Sequence, residues 1–186
     1  MLSTINFDNH VKQLMNTMRG AHRILFVGTG INIENYPALA HAKWKCIYTT
    51  NMSEQIADAF NQTDRQVRPI YTKSDYDQAE RKLDHNNPLL VFINGAHVNK
   101  PDEDDIDATI EWKQNRESLF YTIASLLSSN LMVELVVVGY NLKNENEFPS
   151  ENLYGALRFL PDKCVTFYGV DKEIEDNRYI AALAKK

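Results

Sequence analysis

The chain of 186 residues has only two cysteines, Cys46 and Cys164, and both sit in apolar runs. Two isolated thiols cannot build a four-thiolate zinc site, and no histidine is spaced to complete one, so they read as small buried hydrophobes. No apolar run approaches the roughly 20 residues that span a bilayer. The start, "MLSTINFDNHVKQLMNTM", lacks the apolar core of a signal peptide, so a cytoplasmic, non-membrane protein is expected. Positive charge is not in excess: the net charge is −5, which leaves no global basic surface for nucleic acid. Internal repeats and low-complexity linkers are lacking too, so residues 1–186 read as a single domain.

What is present is alternation. Short apolar runs at 23–27, 44–50, 67–71, 89–93, 133–140 and 164–170 predict strands, and Pro69 demotes the third toward a sheet edge. The run at 133–140 is the most hydrophobic and reads as central. Between them, helical spacing predicts helices over 5–19, 34–42, 53–62, 74–84, 117–129, 150–160 and 172–186. Ser53, Ser74 and Ser150 are the expected caps, and Pro37 suits a first turn. The acidic stretch 101–107 reads as a solvated face. Strand–helix alternation of this kind predicts a three-layer α/β/α domain with a mainly parallel sheet of about six strands. The end, "YIAALAKK", reads as the middle of a helix, so the chain is expected to be the N-terminal piece of a longer, multidomain protein.

In such a sheet, ligands gather at the carboxyl ends of the strands, near the point where strand order reverses. Those ends read Gly28-Thr29-Gly30, Thr49-Thr50-Asn51, Asn94-Gly95-Ala96-His97, Gly139-Tyr140-Asn141 and Gly169-Val170-Asp171. Glycine there admits close backbone approach, and Asn and Thr offer polar contacts to phosphate or ribose. A full G-x-G-x-x-G is missing, because position 33 is Ile. The pattern points to a nucleotide-type ligand or the remnant of its site, and a plain phosphate-binding or protein-docking domain stays open beside it.

The order "RILFVGTGIN", "WKCIYTTNMSEQIADAF", "LLVFINGAHVN", "LVVVGYNLKNENE" and "CVTFYGVDKE" resembles the SIR2-like (sirtuin-type) domains, in their compact, zinc-free form at the front of bacterial multidomain proteins, many of them in anti-phage defence. The resemblance covers about residues 20–171 and rests on order and spacing. It implies a Rossmann-like sheet that binds NAD and cleaves its nicotinamide–ribose bond. Gly28, Thr29 and Gly30 then fall in the first phosphate loop, and Asn51 is the asparagine that places ribose and water. Gly95 follows the slot of the catalytic base, Gly139 lies near the phosphates, and Asp171 is near the acidic end of the last motif.

The departures matter as much. The base of that family is a histidine before glycine, and here the slot holds Asn94, an amide that cannot take a proton from a ribose hydroxyl. His97, three residues on, is the only substitute in view. Ser53, Asn32 and Gly169 stand where the family has aspartate, serine and asparagine. Only 18 residues separate Gly30 from Thr49, too few for the lid that excludes water. The resemblance therefore implies an inactive, degenerate domain that serves assembly, recognition or regulation with other domains or subunits of a larger complex, oligomeric, with weak residual nucleotide binding. The alternative is an active NAD⁺ hydrolase using Asn51 and His97. Whether Tyr36 or Trp44 plugs the cleft is left open by the sequence.

Overall fold

A computed structural model describes residues 22–63, 65–80, 87–95, 101–102, 104–128, 133–141, 149–158, 165–168 and 177–184. Six strands form its sheet: β1 (His22–Val27), β2 (Cys46–Thr49), β3 (Arg68–Ile70), β4 (Leu89–Phe92), β5 (Val133–Val138) and β6 (Val165–Tyr168). Their order is β3-β4-β2-β1-β5-β6, and each pairing is parallel. A 3₁₀ turn (Ile33–Asn35) precedes α1 (Tyr36–Ala40); then come α2 (Gln55–Asn61), α3 (Lys73–Glu80), α4 (Ile106–Ser128), α5 (Ser150–Leu157) and α6 (Arg178–Ala184).

Strands buried on both faces need apolar residues at every position, which is why "CIYT" and "LLVF" read as continuous runs. Alternate side chains feed two cores. Ile24 and Phe26 join α3, α4, α5 and α6 on one face, where Leu119, Ile123, Leu153, Leu157, Ile180 and Leu183 pack. Leu25 and Val27 join α1 and α2 on the other, with Tyr36, Leu39, Trp44, Ile56 and Phe60. This is the three-layer Rossmann-like architecture expected from the alternation. From β1 the chain steps to β2 on one side, while β5 steps to β6 on the other, so strand order reverses between β1 and β5.

Several local expectations shift. β3 is an edge strand, as Pro69 required, but β5 lies one place in from the far edge, and β2 and β1 hold the middle. Thr72, not Ser74, caps α3: the Asp75 N–H donates to Thr72 Oγ1 at 3.1 Å, and the Thr72 N–H donates to Asp75 Oδ2 at 3.2 Å. Ser53 Oγ does accept the Gln55 N–H, at 3.3 Å. Ser150 lies inside α5 and accepts from Asn177 Nδ2 at 3.1 Å; it caps nothing. Asn177 instead starts α6, its Oδ1 accepting the Tyr179 and Ile180 N–H groups at 3.0 and 3.3 Å. The helix over 117–129 begins at Ile106, because Asp105 Oδ1 accepts the Ala108 N–H at 2.9 Å and nucleates a first half that carries no buried stripe. The expected helix at 5–19 and Cys164 lie outside the described residues; Cys46 is fully buried in the core. Among the described residues no helix is long and apolar enough to cross a membrane, and no cluster of His, Cys, Asp or Glu could hold a metal ion.

Candidate functional site

The carboxyl ends of β1 and β5 meet at the switch point. The ladder continues past Val27 as the Gly28 N–H donates to Val138 O at 2.8 Å. Two residues on, the Gly30 N–H donates to Gly139 O at 2.7 Å. The loops approach so closely that neither tolerates a side chain. A Cβ on Gly30 would lie 2.8 Å from Gly139 O, and one on Gly139 would lie 2.7 Å from the Ile31 nitrogen. Gly139 also has φ +65°, a conformation that L residues rarely adopt. These two glycines are accounted for by each other: loop packs on loop. Gly28 is buried, Thr29 half-buried and Gly30 exposed. The segment after Gly30 does not open a long helix. Ile31 tucks into the core, and α1 has five residues, too short for the dipole and free amides that make a phosphate cradle.

The ends of β2 and β4 are held differently, by side chains. Thr49 Oγ1 donates to Val27 O at 3.0 Å and accepts the Asn51 N–H at 3.0 Å, turning the chain sharply after β2. The amide of Asn51 then bridges two elements. Its Nδ2 donates to Tyr36 Oη at 2.6 Å, and its Oδ1 accepts the Ser53 N–H at 3.1 Å. Tyr36 is fully buried in the α1 core, so of the two candidate plugs it is Tyr36 that reaches Asn51. Trp44 is buried elsewhere, with Nε1 donating to Leu39 O at 2.7 Å. Burial pushes the Tyr36 hydroxyl above its ordinary pKa and the Asn51 contact offsets part of the rise, so the phenol stays neutral.

Asn94 is also fully buried. Its Nδ2 donates to Thr50 O at 2.6 Å, tying the β4 end to the β2 end. Its own carbonyl accepts Trp112 Nε1 at 2.9 Å, which seats α4 over the strand end. Gly95 follows at φ 70°, with its N–H donating to Phe92 O at 3.0 Å. One turn along α4, Asn115 accepts the Lys73 N–H at 2.8 Å and donates to Tyr71 O at 2.9 Å, so the same helix closes the β3 end. There Tyr71 donates to Glu54 Oε1 at 2.6 Å; burial first, then the carboxylate, push its hydroxyl up to about 12.

The fold thus brings Gly28, Thr29, Gly30, Asn51, Asn94, Gly95 and Gly139 to one edge of the sheet, as the sequence implied. His97 and Asp171 lie outside the described residues. The described side chains at this edge include amides, hydroxyls, the phenols of Tyr36 and Tyr71, the Trp112 indole and the Glu54 carboxylate. Of the histidines, His41 is the one whose side chain is described, and it is exposed beyond α1. Tyr36, weighed from the sequence only as a plug of the cleft, shapes the edge by holding Asn51; Trp112 and Asn115 shape it as well and were not singled out. A buried tyrosine in a five-residue helix and a tryptophan in a polar helix half carry no local signal of their partners.

No protein-family model and no curated protein matches this chain. The reading of the site therefore rests on its own geometry.

Proposed function

We propose that this chain is a degenerate sirtuin-type domain that performs no turnover and serves as an assembly, recognition or regulatory module of a larger protein of the anti-phage defence kind. The observation that carries the reading is Asn94. It stands in the slot of the family's base, it is fully buried, and its amide is committed to the Thr50 carbonyl. A side chain so placed neither ionises nor reaches a ribose hydroxyl, and general-base help is worth about 10²–10⁴-fold in rate.

The surroundings support the same reading. The amide hydrogens of Gly28 and Gly30, expected to cradle phosphate, are donated to Val138 and Gly139. Asn51, expected to place ribose and water, is occupied by Tyr36 and Ser53. In this conformation those residues do not fit a bound NAD, and no catalytic step is drawn through it. A nucleotide binds only by displacing these contacts, and so weakly.

The test is nicotinamide release from NAD⁺ by the purified full chain. The expected result is release no greater than in buffer alone, for the parent and for Asn94→His alike. Release by the parent that Asn51→Ala abolishes overturns the proposal and establishes the hydrolase instead.

A further inference from the structure

The first half of α4 is long for the support it receives. From Ile106 to Ser118 no side chain is buried, whereas Leu119, Phe120, Ile123, Leu126 and Leu127 of the second half are all in the core. Trp112 and Asn115 rest this half on the sheet edge. The outward side carries Ile106 (71% exposed), Ile110 (49%) and Tyr121 (55%). Lys113 and Glu117, both exposed, lie between them. Positions 106, 110, 113, 117 and 121 follow one another at helical spacing, so they form a single stripe about 23 Å long.

Single exposed apolar residues are ordinary; three on one stripe interrupted by one pair of opposite charges are less so. Lys113 and Glu117 enter no ion pair among the described residues. The order of the two explains this, since Lys ahead of Glu at this spacing is the weaker arrangement for a bridge within one helix. From Ile110 to Tyr121 the stripe is also complementary to itself reversed: apolar, positive, negative, apolar.

We propose that two copies of this chain associate through the outward stripe of α4, antiparallel, about a two-fold axis on that outward side, midway between Lys113 and Glu117. Lys113 then lies beside the partner's Glu117 and Glu117 beside the partner's Lys113. Ile110 packs level with the partner's Tyr121, and each contact is made twice, as an isologous interface requires. One helix stripe buries less than a standard interface, so the dimer is concentration-dependent. This inference does not rest on the sirtuin-type reading.

Sedimentation of the full chain over a range of concentrations tests it, with circular dichroism to check the fold of each variant. The parent associates as concentration rises. Lys113→Glu and Glu117→Lys each weaken association at least about tenfold, because each places like charges together twice. Mixing the two variants restores the dimer, because the mixed pair sets Glu against Lys at both contacts. That restoration separates a contact between chains from one within a helix. Ile110→Asp alone disrupts the dimer through the apolar contact. A parent that stays monomeric throughout, variants that dimerise like the parent, or a mixture that stays monomeric overturns the proposal.

Discussion

Two neighbouring stretches of one sheet edge are closed by opposite means. At the ends of β1 and β5, backbone meets backbone, and glycine is the only residue that lets Gly30 and Gly139 come together. At the ends of β2 and β4, the amides of Asn51 and Asn94 span the gaps between chain segments. Both stretches are written in the vocabulary of ligand-binding loops, since glycine, asparagine and threonine serve a ligand and a loop's own polar groups equally well. The difference is in what each tolerates. A contact between backbones has no room for a methyl group, whereas an amide can lose or exchange a partner.

Substitutions break or sharpen that contrast, and the glycine side has the largest expected effect. In Gly139→Ala the left-handed φ costs about 1–2 kcal/mol, and the new Cβ is pressed on a backbone nitrogen besides. A total loss of about 3 kcal/mol is expected in urea unfolding. Gly30→Ala, with no φ penalty, loses about 1–3 kcal/mol. A Gly139→Ala chain that unfolds at the parent's midpoint means the loops are not closed on each other.

On the amide side, Asn94→Ala removes a buried donor and is expected to cost about 1–3 kcal/mol in the same measurement. The Trp112 contact, made to backbone, survives and keeps the tryptophan fluorescence of the parent. Loss of that fluorescence signature in the variant would mean that Asn94 positions α4 through its side chain.

Tyr36→Phe is expected to cost less, about 1 kcal/mol, for one hydrogen bond. It also releases Asn51. ADP-ribose is then expected to raise the melting temperature of the variant more than that of the parent. Equal shifts would show that Tyr36 does not stand between Asn51 and a ligand.

The smallest effect is at the amino ends of β1 and β5, where Arg23 and Glu134 are register partners. Burial raises the half-buried Glu134 carboxyl above its ordinary 4.5, while the Thr166 hydroxyl at 3.2 Å and then Arg23 pull it back. A carboxyl raised in the folded state binds its proton more tightly there than in the unfolded chain. Its contribution to stability is therefore complete below pH about 4.5 and is lost as pH rises through the higher folded value. Melting temperature against pH is expected to slope down across that window relative to Glu134→Gln, which removes the titration. Parallel curves for the two chains would leave the group unperturbed.

Much of this was legible in the residues. Continuous apolar runs are what doubly covered parallel strands require, and they marked six strands; Pro69 placed β3 at an edge because it lacks the donor an inner strand needs. The glycine and asparagine strand ends were found for the same reason, and those among the described residues do gather on one edge. The first half of α4 was not legible, because a helix with no buried stripe has no apolar period to read, and Asp105 was hidden in an acidic run. The Thr72–Asp75 box lost to Ser74 because both are plausible caps two residues apart and only backbone position chooses between them.

By itself the sequence determined the layered architecture and the edge on which the described candidate residues collect, since these follow from apolar period and turn chemistry. Only the tertiary structure decided what those residues do there. Whether a glycine meets a ligand or another loop, and whether an asparagine faces a cleft or the Thr50 carbonyl, depends on contacts between segments distant in the chain, such as Gly30 with Gly139 and Asn51 with Tyr36. No local pattern encodes such a contact, because hydrogen-bonding and steric demands are the same whichever partner satisfies them.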